Sequence, residues 1–417
     1  MDVIKPLEWY KNKNNQNTAR DTIINEIFPP GISHSARNFH HQIPEYRITP
    51  LKSLPHLALM QSLGGIWVKD ESLRLNLNSF KVLGGSFAIY RFLKKRLNMD
   101  HTEMTLSELM SEKIRKKLGK ITIAAATDGN HGMGIAWSAR QLGYDSIIYV
   151  HKHTTAPRIQ AIERNGAKVI IIDGTYDDAV RRVTKDALKN DWQVISDTSW
   201  DGYEDIPKWV MQGYTTMFSE TQEQLAAQGI SKPTHIFMQA GVGALAAATI
   251  GYYRQIFGSD SPKFVIVEPT NAACLYQSAK ISDGEPHSFD GKLNTMMAGL
   301  ACGDPSPLAW KILKDFADVF VTCPDYVAAK GMRVYGVPLN GDPFIVSGES
   351  GAVTLGALMF MMSLPEYLPL RKHLDLGPDS RILLLNTEGN TDPDDFRQVV
   401  WEGSNPVPKP FRRAKWL

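Results

Sequence analysis

The sequence predicts an α/β protein in which two open twisted sheets, each flanked by helices, enclose a cleft between two domains. Apolar runs of strand length alternate with helical patterns, which is typical of parallel sheets built from βαβ units. This alternation occurs twice, over 121–195 and over 235–385. With 417 residues, of which 43% are hydrophobic, the chain is long enough for two large buried cores. We expect residues 1–88 and 198–417 to form the larger domain and residues 89–197 the smaller one.

The elements follow the same pattern along the chain. A strand at 66–69 comes first, and a helix begins just after Lys81. Residues 105–117 are polar and periodic and are predicted as one surface helix. The later predicted strands are 121–126, 146–150, 168–172, 192–195, 235–238, 264–268, 319–321 and 382–385, and the helices between the first four of them end near 141, 165 and 189.

Composition and charge narrow the class of protein. The formal net charge of +2 gives no general attraction to nucleic acid. Residues 1–6 lack the apolar core of a secretory signal, and the longest apolar stretches, such as 351–364, are too short and interrupted to span a bilayer. The three cysteines have no metal-ligand spacing, and a pairing of Cys274 with Cys302 is left open. We expect a cytoplasmic enzyme with no nucleic-acid or membrane partner.

One lysine stands in an unusual setting. The segment 78–81 reads Asn-Ser-Phe-Lys, and Lys81 is followed by Val82 and Leu83. A lysine is ordinarily a solvated surface charge. Here the apolar neighbours would remove part of the water from the ammonium, which lowers the pKa and frees a nucleophilic amine. Such an amine can form a Schiff base with a carbonyl cofactor.

A glycine-rich turn from Gly241 to Ala246 follows the predicted strand at 235–238 and opens an apolar helix. Successive backbone N–H groups at a helix N-terminus favour an anion, most often a phosphate. Any one of these glycines can also serve only a tight turn. For the pair Gly241 and Gly243 in this context, phosphate binding is the preferred interpretation.

The same turn supports an alternative function. It matches the dinucleotide pattern G-x-G-x-x-A, and Glu268 ends the next strand, where an acid can bind a ribose. A dinucleotide-dependent oxidoreductase is therefore an alternative. That reading leaves Lys81 and Asn130 unexplained.

Polar side chains follow two other predicted strands. Residues 127–132 read Thr-Asp-Gly-Asn-His-Gly, in which Asn130 is otherwise a helix cap and His131 a structural histidine. Asp197 follows the strand at 192–195 and would alone be a turn residue. Caps and turns explain single polar residues better than they explain such clusters.

Further polar groups lie near the C-terminus. Thr387 follows the last apolar strand, and Glu349 lies between glycines before an apolar helix, where capping and function are equally plausible. His151 and His153 lie at a strand end without matching carboxylate or thiolate partners, so no metal site is predicted.

Taken together, these segments resemble the β-family, or fold type II, pyridoxal-phosphate enzymes, which share the fold of the tryptophan synthase β subunit. Within that family the pattern is similar to the diaminopropionate ammonia-lyases. The resemblance extends from about residue 40 to near the C-terminus. The segments that carry it are 69–72 (Lys-Asp-Glu-Ser), 78–81, 126–132, 197–200, 211–214 (Met-Gln-Gly-Tyr) and 386–389 (Asn-Thr-Glu-Gly).

The resemblance implies a set of cofactor contacts in the cleft between the domains. Lys81 would hold pyridoxal 5'-phosphate in a Schiff base, with Phe80 beside it, and Asn130 would donate to the pyridine 3-oxygen. Thr387 would face the pyridine nitrogen, where a neutral hydroxyl does not hold that nitrogen protonated and so suits elimination. The residues implied in phosphate binding are Gly241, Val242, Gly243, Ala244 and Leu245.

Asp128 departs from the pattern of serine and threonine dehydratases, which usually have a small hydroxyl residue before Gly-Asn-His. A carboxylate beside the substrate Cα can act as a base and also attract a second ammonium group, such as that of 2,3-diaminopropionate. Asp197 would pair with the same ammonium or act as a further base. Two bases on opposite faces would allow both stereoisomers to react.

The activity implied is therefore the α,β-elimination of D- and L-2,3-diaminopropionate to pyruvate and two ammonia. A serine or threonine dehydratase of the same fold is the nearer alternative, and the oxidoreductase is the more remote one. The family resemblance also implies a homodimer.

Overall fold

The structure is a computed structural model that describes residues 5–15, 21–100, 102, 104–127 and 129–412. Its strands are β1 (Glu8–Lys11), β2 (Leu51–Ser53), β3 (Gly65–Asp70), β4 (Thr122–Thr127), β5 (Asp145–His151), β6 (Lys168–Ile172), β7 (Gln193–Val194), β8 (His235–Gln239), β9 (Lys263–Pro269), β10 (Val319–Cys323) and β11 (Arg381–Asn386).

The helices lie between and around these strands. They are α1 (Thr22–Ile27), α2 (Ile32–His41), α3 (Pro55–Met60), α4 (Lys81–Arg96), α5 (Leu106–Leu109), α6 (Glu112–Leu118), α7 (Asn130–Leu142), α8 (Ala156–Arg164), α9 (Tyr176–Asn190), α10 (Asp205–Ala226), α11 (Ala244–Phe257), α12 (Cys274–Ile281), α13 (Pro307–Phe316), α14 (Asp325–Gly336), α15 (Glu349–Ser363), α16 (Leu368–Leu374) and α17 (Pro393–Val400). Short 3-10 turns occupy Glu71–Asn76, Gly258–Asp260, Ala298–Leu300, Pro365–Tyr367 and Lys409–Phe411.

The strands form two separate sheets, as predicted. In the described chain, one sheet has seven strands in the order β1-β10-β9-β8-β11-β3-β2, and the other has four in the order β6-β5-β4-β7. The smaller sheet is parallel throughout, whereas the larger one is parallel except for its edge strands β1 and β2. The fold class read from the sequence is confirmed. The strands of the smaller sheet lie inside 89–197, while the domain boundaries themselves stay a prediction.

The central strands are continuous apolar runs because helices cover both faces of each sheet. Strand β8 is buried at every residue, and β11 is buried at all but its first. The edge strand β1, in contrast, is partly or fully exposed throughout. Because β8 and β11 are parallel neighbours, their carboxyl ends reach the same edge of the larger sheet. The turn at 240–243 and the segment after Asn386 therefore come together at that edge.

Helix α4 begins at Lys81 and packs against α7 and α10. Gly84 and Gly85 lie inside this helix, where the absence of a side chain allows neighbouring helices to pack closely. A Cβ on Gly84 would lie 2.5 Å from Cε1 of Tyr214 in α10, and one on Gly134 in α7 would lie 2.9 Å from Cα of Val82. Close helix contacts thus fix the position from which the Lys81 side chain extends.

One element differs from its prediction. Residues 105–117 form two short helices instead of one, α5 and α6. Thr105 and Glu108 form a capping box at the start of the first, and the Ser111 side chain accepts from the N–H of Ile114 at the start of the second. Ser111 favours a new helix start because its hydroxyl satisfies a first-turn N–H group.

Within the described residues, no single helix has both the length and the apolar character needed to cross a membrane. Helix α15 and residues 365–374 meet that requirement only when taken together, and they are bent by 95° relative to each other.

Candidate active site

A narrow cleft lies between the two sheets. It brings together residues from segments that are far apart in the chain. Every described residue that the sequence analysis assigned to catalysis or to the cofactor lines it. These are Phe80, Lys81, Asn130, Asp197, Gly241, Val242, Gly243, Ala244, Leu245 and Thr387. Asp128, the remaining candidate, lies outside the described residues.

The Lys81 amine faces a carboxylate. Its Nζ forms an ion pair and hydrogen bond with Oδ2 of Asp197, and Oδ1 of the same carboxylate accepts from the Tyr176 hydroxyl at 3.0 Å. The Lys81 side chain is 18% exposed and that of Asp197 is 5% exposed. Burial alone would raise the pKa of Asp197, but the Lys81 charge and the hydrogen bonds from Lys81 and Tyr176 hold that pKa well below its usual value. Asp197 is therefore an ionised partner for the amine.

His131 lies beside this pair on α7. Its Nε2 is 2.9 Å from the carbonyl oxygen of Ile195, so Nε2 carries the hydrogen because a carbonyl only accepts. Burial, together with the nearby Lys81 charge, lowers the pKa of the imidazole. His131 is thus neutral at physiological pH, with Nδ1 as the unprotonated nitrogen.

The glycine turn has the form of an anion cradle. Gly243 has φ of +99° and precedes α11, and no side chain in the described chain caps this helix. A Cβ on Gly243 would lie 2.9 Å from Cδ1 of Leu313, and one on Gly241 would lie 3.0 Å from Sγ of Cys302. The backbone therefore requires glycine at position 243 and leaves little room for a side chain at 241, and the first N–H groups of α11 are available to the cleft.

Thr387 is oriented by a residue that the sequence analysis missed. The Gln239 side-chain nitrogen donates to the carbonyl of Leu385 at 3.0 Å and to Oγ1 of Thr387 at 2.7 Å. Because the carbonyl can only accept, the atom facing it must be the nitrogen. The Thr387 hydroxyl therefore accepts from Gln239, and its own hydrogen is left to donate into the cleft.

Asn130 is the first residue of α7, and its side chain reaches Glu388 in the larger domain. Its Nδ2 donates to Oε2 of Glu388 at 2.6 Å, and Oε1 of Glu388 accepts from the N–H of Ser350 at 2.9 Å. The Asn130 amide is therefore anchored on one side. Glu349, for which capping and function were both open, lies nearby but pairs with Nη2 of Arg158 at 3.3 Å.

Glu268, the acid expected to bind a ribose in the oxidoreductase alternative, has both oxygens bound to backbone N–H groups. Glu268 is fully buried, and its two oxygens accept from the N–H groups of Leu275 and Tyr276 at 2.9 and 2.7 Å. Burial raises its pKa to about 8. Glu268 therefore caps a helix instead of presenting a carboxylate to a nucleotide. Cys274 and Cys302 are both buried and do not form a disulfide with each other.

The groups around the cleft fit pyridoxal phosphate by their chemistry. An amine suits its carbonyl, and uncapped N–H groups at a helix N-terminus suit its phosphate. A hydroxyl with a free hydrogen suits an unprotonated pyridine nitrogen, and an anchored amide suits the ring oxygen. The lining residues that the sequence analysis did not assign include Tyr176, Gln239, Cys302, Ser350 and Glu388. Only Glu388 had a local signal, because it directly follows Thr387.

The comparisons with known proteins agree with this site. The family model of pyridoxal-phosphate dependent enzymes matches residues 43–388. Diaminopropionate ammonia-lyase of Salmonella typhimurium is 42% identical over 373 residues, which cover 89% of this chain and 92% of the relative.

Two crystal structures of diaminopropionate ammonia-lyase from Escherichia coli are similar over the whole fold. The complex with D-serine has a TM-score of 0.88 at 40% identity and covers 96% of this chain and 98% of its own. The complex with an aminoacrylate-PLP azomethine reaction intermediate has a TM-score of 0.86 at 40% identity and covers 98% and 100%. Fold and site thus define a pyridoxal-phosphate-dependent enzyme. The chain belongs to that family and, within it, to the diaminopropionate ammonia-lyases.

Proposed function

We propose that this enzyme eliminates ammonia from 2,3-diaminopropionate, in both D and L forms, and releases pyruvate and a second ammonia. The observation that supports this most directly is the Lys81–Asp197 ion pair in a cleft that also contains a phosphate-type cradle. The similarity to diaminopropionate ammonia-lyases, one of which is known in complex with an aminoacrylate-PLP intermediate, supports the reaction class.

The cofactor, when bound to the substrate amine, withdraws electrons from Cα and so makes the Cα–H bond acidic. The chain supplies the bases. The Lys81 amine, when neutral, and the ionised Asp197 carboxylate, which form an ion pair in the cleft, would be the candidates to accept that proton. Asp128 is proposed as the base on the opposite face. The Thr387 hydroxyl, oriented by Gln239, would donate to the pyridine nitrogen and keep it unprotonated, which suits elimination of a Cβ substituent.

The charge of the cleft suits a substrate with two ammonium groups. Asp197 and Glu388 are both buried carboxylates that line it, and Lys81 is the only lysine among its described lining residues. The sequence adds the carboxylate of Asp128 beside Asn130. These acids would favour a diamino acid over serine, whose Cβ carries a neutral hydroxyl.

The test is the release of pyruvate from D- and L-diaminopropionate, with D- and L-serine as comparison substrates. We expect a yellow protein that turns over both diaminopropionate isomers faster than either serine. Asp128→Asn should reduce turnover of at least one isomer far more than it reduces bound cofactor. A colourless protein, or higher activity on serine than on diaminopropionate, would exclude the proposal; the second result would favour a dehydratase.

We also propose that the enzyme is a cytoplasmic homodimer. The family resemblance supports the dimer, and three buried cysteines that form no disulfide are compatible with a reducing compartment. Sedimentation of the holoenzyme at several concentrations tests the dimer, and a single species of about one chain mass, 46.6 kDa, would contradict it.

A further inference from the structure

Glu388 stands at the junction of three parts of the site. Its peptide pairs with the segment that leads into Lys81, because Phe80 N–H donates to the Thr387 carbonyl at 3.2 Å and Gly389 N–H donates to the Asn78 carbonyl at 2.9 Å. The residue is only 2% exposed. Glu388 is therefore held by the backbone that carries both Thr387 and Lys81.

The two carboxylate oxygens of Glu388 have different partners. Oε1 accepts from Ser350 N–H at the start of α15 in the larger domain, and Oε2 accepts from Asn130 Nδ2 in the smaller domain. A carboxylate only accepts, so the Asn130 atom that faces it must be nitrogen. This determines which way the amide points. One Nδ2 hydrogen goes to Glu388, and the second remains for a group in the cleft.

Burying this acid is costly. A carboxylate removed from water needs several donors, and a second acid, Glu349, lies close enough to disfavour ionisation of the pair. Burial, and then the neighbouring Glu388, raises the pKa of Glu349 well above its usual value. An arrangement that disfavours stability in this way is most often retained for function.

We propose that Glu388 is a positioning residue that fixes the Asn130 amide as a donor to the ring oxygen of the cofactor and joins the two domains across the cleft. The proposal rests on the proposed contact between Asn130 and the cofactor. It adds to the site a residue that would act on the cofactor through Asn130 rather than by its own contact. The carboxylate of Glu388 matters because it has two acceptor oxygens, one for Asn130 Nδ2 and one for the Ser350 N–H. A neutral amide has only one acceptor oxygen, and its NH₂ group would face the other donor.

The experiment measures binding of pyridoxal 5'-phosphate to the apoprotein of Glu388→Gln, by fluorescence titration, and the visible absorbance of the reconstituted protein. In this variant, the Gln NH₂ faces either Asn130 or the Ser350 N–H, and the Asn130 amide loses its fixed orientation. We expect cofactor affinity to fall at least tenfold and the absorbance maximum to shift. Glu388→Asp, which keeps both acceptor oxygens, should recover part of the affinity.

Glu349→Gln is the matched control. It changes a neighbouring buried glutamate that pairs with Arg158 and not with Asn130, and a neutral amide resembles its protonated form. We expect its cofactor affinity to stay within about twofold of the unaltered protein, since no contact to the cofactor side is lost. Circular dichroism of each apoprotein establishes that it is folded.

A double-mutant cycle with Asn130→Ala separates this proposal from the proposed function. If Glu388 acts through Asn130, then Glu388→Gln has little further effect in the Asn130→Ala background. Additive losses, or an unchanged affinity of Glu388→Gln alone, would overturn the positioning role and leave the lyase assignment intact. If Asn130→Ala itself bound the cofactor normally, the assigned contact between Asn130 and the cofactor would fail instead.

Discussion

The Lys81 amine and the Asp197 carboxylate form an ion pair at the centre of the cleft, and the Tyr176 hydroxyl holds the other oxygen of the carboxylate. The lysine comes from the first residue of α4, whereas the aspartate follows the short strand β7. The pair joins the two domains at the point where the chemistry is proposed. It also means that the amine is partnered by charge rather than only surrounded by apolar groups.

Removing the charge of Asp197 should slow turnover while the cofactor remains bound. In Asp197→Asn the ionised acceptor beside Lys81 is lost, and we expect kcat on diaminopropionate to fall about 10²–10⁴-fold, the usual contribution of a general base. Steady-state kinetics and the yellow absorbance measure the two effects separately. The control is Asp205→Asn, whose carboxylate pairs with Lys95 at an exposed site. A loss of less than tenfold in Asp197→Asn would contradict its role.

The cradle can be tested with two glycines that both have positive φ. Gly243→Ala places a Cβ 2.9 Å from Leu313 beside the proposed phosphate site, whereas Gly229→Ala, with φ of +76°, meets no atom within 4 Å. Both replacements introduce a similar backbone strain. We expect only Gly243→Ala to weaken binding of pyridoxal 5'-phosphate, by tenfold or more. Equal losses of affinity in the two variants would mean that strain, and not the cradle, is responsible.

The hydrogen bond from Gln239 to Thr387 should affect the affinity for the cofactor indirectly, because it orients the Thr387 hydroxyl. In Gln239→Leu the Thr387 hydroxyl loses its donor, and its orientation is no longer fixed. We expect affinity for the cofactor to fall about five- to tenfold, the equivalent of one hydrogen bond of ~1 kcal/mol. Titration of the apoprotein measures this. An effect as large as that of Thr387→Ala would support the relay, whereas an unchanged affinity would contradict it.

His40 predicts a pH dependence of stability. It is fully buried beside α4, and burial, with Arg74 nearby, lowers its pKa from 6.5 to about 3. As the pH falls below 6.5, the unfolded chain binds a proton here that the folded protein does not. The free energy of unfolding should therefore fall by up to about 1.4 kcal/mol per pH unit between pH 6.5 and 3 from this group.

The measurement is the urea midpoint of unaltered protein and of His40→Gln between pH 7 and 4.5. We expect the difference in stability between them to change in favour of the variant as the pH falls, because glutamine does not titrate. His34→Gln, at an exposed position of the same helix α2, should follow the unaltered protein. Parallel curves for all three proteins would contradict the assigned burial of His40.

The sequence was sufficient to identify site groups whose neighbours along the chain form a recognisable pattern. Lys81, the turn at 241–245 and Thr387 each directly follow a recognisable strand or open a helix, so their placement at one edge of a parallel sheet could be inferred. The two sheets could be predicted for the same reason, because each buried strand is an uninterrupted apolar run.

The remaining contacts depend on tertiary structure. Tyr176 reaches Asp197 across 21 residues of chain, Gln239 reaches Thr387 across 148, and Asn130 reaches Glu388 across 258. Side chains of these types are common in any sequence, and nothing local marks a pair that meets only after folding. The break between α5 and α6 was missed because the polar periodicity continues through it, whereas a single serine cap at Ser111 decides the boundary.

The most direct test of the account is reduction of the yellow holoenzyme with borohydride, which fixes a Schiff base to the lysine that carries it, followed by peptide mapping by mass spectrometry. We predict that the cofactor is attached to Lys81 and that Lys81→Ala, under the same treatment, acquires no label. Label on another lysine of the unaltered protein, or a protein that binds no cofactor at all, would contradict the assignment of this site.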